Sequence, residues 1–219
     1  MCKKNKILVI LSTILIALFV GLTLLVKFVA VSASGPNGSI IGLAGFNLSI
    51  FNTLGQSETW DKVSDICLIF AIVLVGIIAT IGIIQLIKRK SIKKVDKEII
   101  CFGIMLIMIA VAYILFELIT INYRPILVNG ELEASYPSTH TLIVLCITLS
   151  AMLISKNYIS NKALYIMFNI FCIVLTIVCI IARLLSGMHW ATDIIAGVIL
   201  SSLIVIIFKT LTCYTSKRS

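Results

Sequence analysis

The chain has 219 residues, of which 60% are hydrophobic and 12% charged, and its mean hydropathy is +1.17. Those values exclude an ordinary soluble domain. The net charge of +9 is confined to clusters between apolar runs, which argues against a nucleic-acid partner and for topology signals that also meet anionic lipid headgroups.

In chain order, the apolar runs cover 7–31, 66–87, 99–121, 140–155, 163–185 and 192–213. A helix needs about 20 residues to cross about 30 Å of hydrocarbon, and lipid offers the backbone no hydrogen-bond partner. The predicted fold is therefore all-α: a bundle of six transmembrane helices forming a single membrane domain over residues 1–219. The run 140–155 is short and borrows length from its flanks. The first run follows Lys3, Lys4 and Lys6 and precedes Ser32, Ala33 and Ser34, as in a signal peptide. It is longer than an ordinary signal core of about 7–15 residues, so an uncleaved anchor is expected. The segment 32–65 is broken by Gly35, Pro36, Gly38, Gly42 and Gly45, and is read as a surface loop or an interfacial stretch near 46–60.

Lys88, Arg89, Lys90, Lys93, Lys94 and Lys97 share one short loop, Lys156 and Lys162 another, and Lys209, Lys217 and Arg218 mark the C-terminal end. With six spans these fall on one side together with the N-terminal lysines, so both termini are expected in the cytoplasm. Glu58, Asp61, Asp65, Glu117, Glu131, Glu133 and Asp193 fall on or near the other side. Cys67, Cys101, Cys146, Cys172 and Cys179 lie within spans, with Cys2 and Cys213 near their cytoplasmic ends. No Cys-x-x-Cys pair or Cys/His cluster occurs, so no metal and no disulfide framework is expected.

Both histidines reach the outer face. His140 opens the fourth span, and two crossings return the chain to His189 just after Arg183; Arg124 follows the third span. Ionisable groups are costly in a bilayer, and such a set at one depth signals function. Asp193 stands four residues after His189, on one helical face, where a carboxylate can fix the imidazole tautomer. An imidazole so held is a nucleophile for phosphorus. Arg124 and Arg183 can grip phosphate oxygens, Ser138 can donate a further hydrogen bond, and His140 can protonate the leaving oxygen. Taken singly, each residue also has a structural reading, as a snorkelling arginine or a helix-terminal charge.

The segments Arg124-Pro125, Pro137-Ser138-Thr139-His140 and Arg183…His189…Asp193 together resemble the motifs of the type 2 phosphatidic acid phosphatases. That superfamily of lipid phosphate phosphatases also includes the vanadium haloperoxidases. The resemblance implies a phosphohistidine on His189, oriented by Asp193, with His140 as general acid and then base. It also implies phosphate binding by Arg124, Arg183, Ser138 and the Thr139 backbone, without metal or cofactor. Three positions depart from the pattern: Thr139 replaces a glycine, Ala182 a serine, and Glu117 a lysine. Glu117 is read as supporting the arginines; the alternatives are contact with a cationic part of the substrate, or a carboxyl that is protonated, turned away or merely occupying the lysine position near phosphate.

The expected function is extracytoplasmic hydrolysis of a lipid phosphate or pyrophosphate, of the phosphatidic acid, phosphatidylglycerol phosphate or undecaprenyl pyrophosphate class. A bacterial plasma membrane is expected from the Ile- and Lys-rich composition. A phosphotransferase would use the same residues with an alcohol in place of water, and an inactive scaffold or transporter would keep the fold without turnover.

Overall fold

The computed structural model describes residues 3–215, so Cys2, Lys217 and Arg218, on which part of the expected sidedness rests, lie outside the described residues. Seven α-helices follow one another: α1 Lys3–Phe28, α2 Ala44–Leu54, α3 Glu58–Arg89, α4 Lys97–Leu118, α5 Thr139–Ser155, α6 Lys162–Ser186 and α7 Ala191–Thr215. Only isolated bridges of β type occur among the described residues.

Five of these helices, α1, α3, α4, α6 and α7, are long and apolar enough to cross a membrane. Their outward residues, such as Ile14 on α1, Ile69 on α3, Ile107 on α4 and Ile170 on α6, are exposed as lipid-facing side chains would be. Of the other two, α2 has 11 residues and α5 has 17, or roughly 25 Å of helix. α5 lies at the bundle centre against α3, α4, α6 and α7, and most of its side chains are buried. A helix with protein on every side can carry hydroxyls that a lipid-facing helix cannot. Thr148 Oγ1 lies 2.8 Å from Thr176 Oγ1 on α6, and Ser150 Oγ donates to Met105 Sδ on α4 at 3.0 Å.

Two expectations change in detail. α3 begins at Glu58, eight residues before its apolar run, because Glu58 and Asp61 in the first turn complement the helix dipole. This puts Asp61 and Asp65 on a helix and not in a loop. The segment 32–65 is also more ordered than a surface loop. Ser32 pairs with Ile41, and α2 then lies against the start of α7. Gly42 makes that turn possible, since a Cβ there would meet the Val26 carbonyl oxygen at 1.6 Å. Asn47 of α2, fully buried, donates to Gly42 O at 2.8 Å and Thr192 Oγ1 at 2.9 Å, and accepts from the Thr192 N–H at 3.2 Å.

α1 packs along α7 and reaches the α4–α5 connection. Thr23 Oγ1 lies 2.8 Å from the Tyr136 hydroxyl, the rings of Phe19 and Phe116 flank Tyr136, and Lys27 Nζ donates to Thr120 O at 2.8 Å. The connection itself forms a short antiparallel pairing, with bridges Tyr123–Ala134 and Val128–Glu131. It holds Arg124 and Ser135 against the ends of α5 and α7.

Candidate active site

α6 ends at Gly187, whose φ of 67° is the left-handed conformation that closes a helix and favours glycine. A Cβ there would also press on Gly55 O at 2.7 Å. The chain turns and enters α7 at Ala191, which leaves His189 in the turn with 1% of its side chain exposed. Asp193 Oδ2 accepts the Trp190 N–H at 3.0 Å and so braces the same turn.

The imidazole geometry refines the expected tautomer argument. His189 Nδ1 lies 2.9 Å from the Ser135 carbonyl oxygen and 3.7 Å from Asp193 Oδ2. The carbonyl can only accept, so Nδ1 carries the hydrogen and Nε2 carries the lone pair. The carboxylate is within ion-pair reach and beyond hydrogen-bond reach. Burial, followed by the charges of Arg183, Arg124 and His140, holds the His189 imidazole well below its ordinary pKa, so it is neutral near pH 7. Asp193 is completely buried and is faced by the side chains of Ser135 and Asn122.

A cavity of about 260 Å³ opens beside His189. Its lining includes Arg124, Glu117, Glu133, Tyr113, Tyr136 and Thr139. Arg124 Nε lies 3.1 Å from Glu133 Oε2, so the carboxylate that meets this arginine is Glu133 and not Glu117. Glu117 stands exposed in the cavity wall.

Arg183, His140 and Ser138 are not among the described residues that line this cavity. Arg183 is buried, and its NH1 donates to Asp61 Oδ1 at 2.6 Å and Ser64 Oγ at 3.0 Å, both on α3. His140 Nε2 lies 2.9 Å from Asp65 Oδ1, also on α3. Ser138 turns inward: its N–H donates to Asp193 O at 3.0 Å, and its hydroxyl accepts from Thr141 at 3.0 Å. Both arginines and His140 nevertheless lie close enough to act on His189 electrostatically.

Among the described residues, Asn122 Nδ2, Ser135 Oγ, Arg183 Nε, His189 Nε2 and Asp193 Oδ1 are buried side-chain polar atoms without a hydrogen-bond partner, Ser39 Oγ is another, and Arg124 Nε has only its ion pair with Glu133. Such atoms cost about 1–3 kcal/mol each, and their concentration around one imidazole marks a site for a polar ligand. A nucleophilic lone pair beside a guanidinium suits a phosphate group.

Sequence reasoning did not identify Asp61, Ser64, Asp65, Asn122 or Ser135 as part of this arrangement. The one available signal was the spacing of Asp61, Ser64 and Asp65, which shares a helical face once α3 is extended to Glu58.

Residues 116–216 match the family model described as the PAP2 superfamily. The fold also matches a crystal structure described as a transmembrane PAP2 type phosphatidylglycerolphosphate phosphatase from Bacillus subtilis. That match has a TM-score of 0.64 and 17% identity, covering 95% of this chain and 97% of the other. No curated protein gives a significant match.

Proposed function

Since residues 116–216 match the PAP2 superfamily model, we propose that this chain is an integral membrane phosphatase acting on a lipid phosphate or lipid pyrophosphate. The observation that carries this reading is the buried, neutral His189 with an unpartnered Nε2 beside Arg124 in one cavity. The whole chain is taken as one membrane domain of six spans, α5 being the short central one, with both termini cytoplasmic and the site on the opposite face.

In the proposed cycle His189 Nε2 attacks phosphorus, the bond to the leaving oxygen breaks, and His140 gives that oxygen its proton. Water then loses a proton to His140 and attacks the phosphohistidine, releasing inorganic phosphate and restoring both histidines. Asp193 stabilises the charge that develops on His189. Arg124, Arg183 and the N–H groups at the start of α5, around Thr139, neutralise the transferred phosphoryl group. For Arg183 this requires sharing or leaving its bond to Asp61, and Ser138 acts by tying α5 to Asp193. Because arginines and backbone dipoles supply the positive charge, the reaction needs no metal or cofactor.

The test offers phosphatidic acid, phosphatidylglycerol phosphate and undecaprenyl pyrophosphate to the purified protein in detergent with excess chelator. Phosphate release that vanadate inhibits is expected. Loss of release on chelation, restored by magnesium or zinc, would overturn the roles given to the arginines. Repeating the assay with an acceptor alcohol separates hydrolysis from transfer. For topology, Glu131→Cys should react with a membrane-impermeant thiol reagent in intact cells and Lys93→Cys should not; the reverse pattern would refute extracytoplasmic catalysis.

A further inference from the structure

Asp61, Ser64 and Asp65 stand at i, i+3 and i+4 on the first turns of α3, so they share one face. That face meets α5 and α6 at the level of the site. None of the three lies within residues 116–216, where the family match falls.

The two aspartates differ in what their surroundings demand. Arg183 has 2% of its side chain exposed, so the charge needs Asp61 for folding as much as for anything else. Asp65 has 55% of its side chain exposed, and an ion pair that open contributes little to stability. Water could satisfy that carboxylate, yet it sits 2.9 Å from His140 Nε2.

We propose that Asp65 is a positioning residue that holds His140 Nε2–H and thereby confines the proton exchange of His140 to Nδ1. The inference rests on the reading of His140 as the general acid. A carboxylate can only accept, so Nε2 keeps its hydrogen throughout the cycle. When His140 is cationic, Nε2–H faces Asp65 and Nδ1–H is the proton given to the leaving oxygen. Once that proton has gone, the Nδ1 lone pair is the base that takes a proton from water. Acid and base duties thus fall to one atom, and the ring does not turn between the two half-reactions. Asp65 also places an anion beside a ring that faces the Arg183 cation, adding to the more distant Asp61 carboxylate. His140, Asp65 and the Asp61–Arg183 pair then form one strip joining α3, α5 and α6.

The experiment compares two esters: a lipid phosphate with an alkyl leaving oxygen, which needs a proton, and p-nitrophenyl phosphate, whose leaving group needs little help. Asp65→Asn is expected to lower kcat on the lipid by roughly tenfold to a hundredfold, with KM within about twofold and a loss on the aryl ester of about threefold or less. Asp65→Glu should recover most of the lipid activity, and Glu58→Gln, about two turns earlier on the same helix, should match the wild type. His140→Ala is run in parallel. If it discriminates between the esters and Asp65→Asn does not, the proposal falls and the acid role of His140 stands. If His140→Ala treats both esters alike, the acid role falls and takes the proposal with it. Thermal melting and gel filtration of each variant separate loss of catalysis from loss of fold.

Discussion

At the lysine-rich end of the bundle, Asp96 accepts hydrogen bonds from Gln85 Nε2 at 2.7 Å, Tyr158 OH at 2.6 Å and Arg89 NH1 at 2.6 Å, and its own N–H donates to Gln85 Oε1 at 2.8 Å. At the histidine end, His189 Nε2, Asp193 Oδ1 and Arg183 Nε are buried without a hydrogen-bond partner, while Arg124 Nε meets the Glu133 carboxylate. The two clusters use the same kinds of residue, and both join several helices. They differ in completeness. A polar cluster whose members satisfy one another stabilises its helices and has no capacity left for a ligand. One that carries unsatisfied atoms costs stability and can recover it only from something bound there. In a membrane protein this contrast separates a staple from a site better than residue type does.

His189→Ala tests the incomplete cluster most severely. It removes the nucleophile from a cavity wall, so turnover should fall on the order of a thousandfold or more while the protein stays folded. Phosphate release near the wild-type rate would mean that the orphaned atoms serve something other than catalysis.

A smaller effect is expected at Glu117. Because Glu133 already pairs with Arg124, Glu117 is not needed to hold that arginine. Glu117→Lys adds a cation to the wall of a phosphate site and should raise kcat/KM on phosphatidic acid by a few fold. A fall on every lipid tested would restore to Glu117 the supporting role expected from the sequence.

Asp96→Asn should have the least effect on chemistry. Burial works against the Asp96 charge, but the bonds from Tyr158, Arg89 and Gln85 outweigh it and hold the carboxyl below its ordinary value of 3.8. A depressed folded pKa means the stabilisation is complete above the unfolded value and is lost as the pH falls through the folded one. The variant should melt on the order of a few degrees lower at neutral pH, with unchanged kcat for the folded fraction, and this difference should shrink below about pH 4. A changed kcat would show that the two ends are coupled.

Hydropathy and spacing determined much of this protein. Runs of about 20 apolar residues dictate membrane-length helices, because lipid leaves the backbone no other partner. The run out along α5 and back along α6 returns the chain to His189 at the end of the bundle where His140 begins α5, and the four-residue spacing brings His189, in the turn before α7, within 3.7 Å of Asp193. Those relations are local or follow from counting spans, so they are legible without coordinates.

What the tertiary structure decided involves partners with no sequence period between them. Ser135, 54 residues from His189, supplies the carbonyl that fixes its tautomer, and a main-chain oxygen leaves no trace in residue identity. Asp65 reaches His140 across 75 residues and Asp61 reaches Arg183 across 122. Both contacts depend on α3 continuing past its apolar run and on its packing against α5 and α6. Glu133, and not Glu117, meets Arg124 because the pairing of the α4–α5 connection brings their backbones together. The sequence determined which groups reach the same depth; side-chain packing decided which of them are already paired, and so which remain available for chemistry.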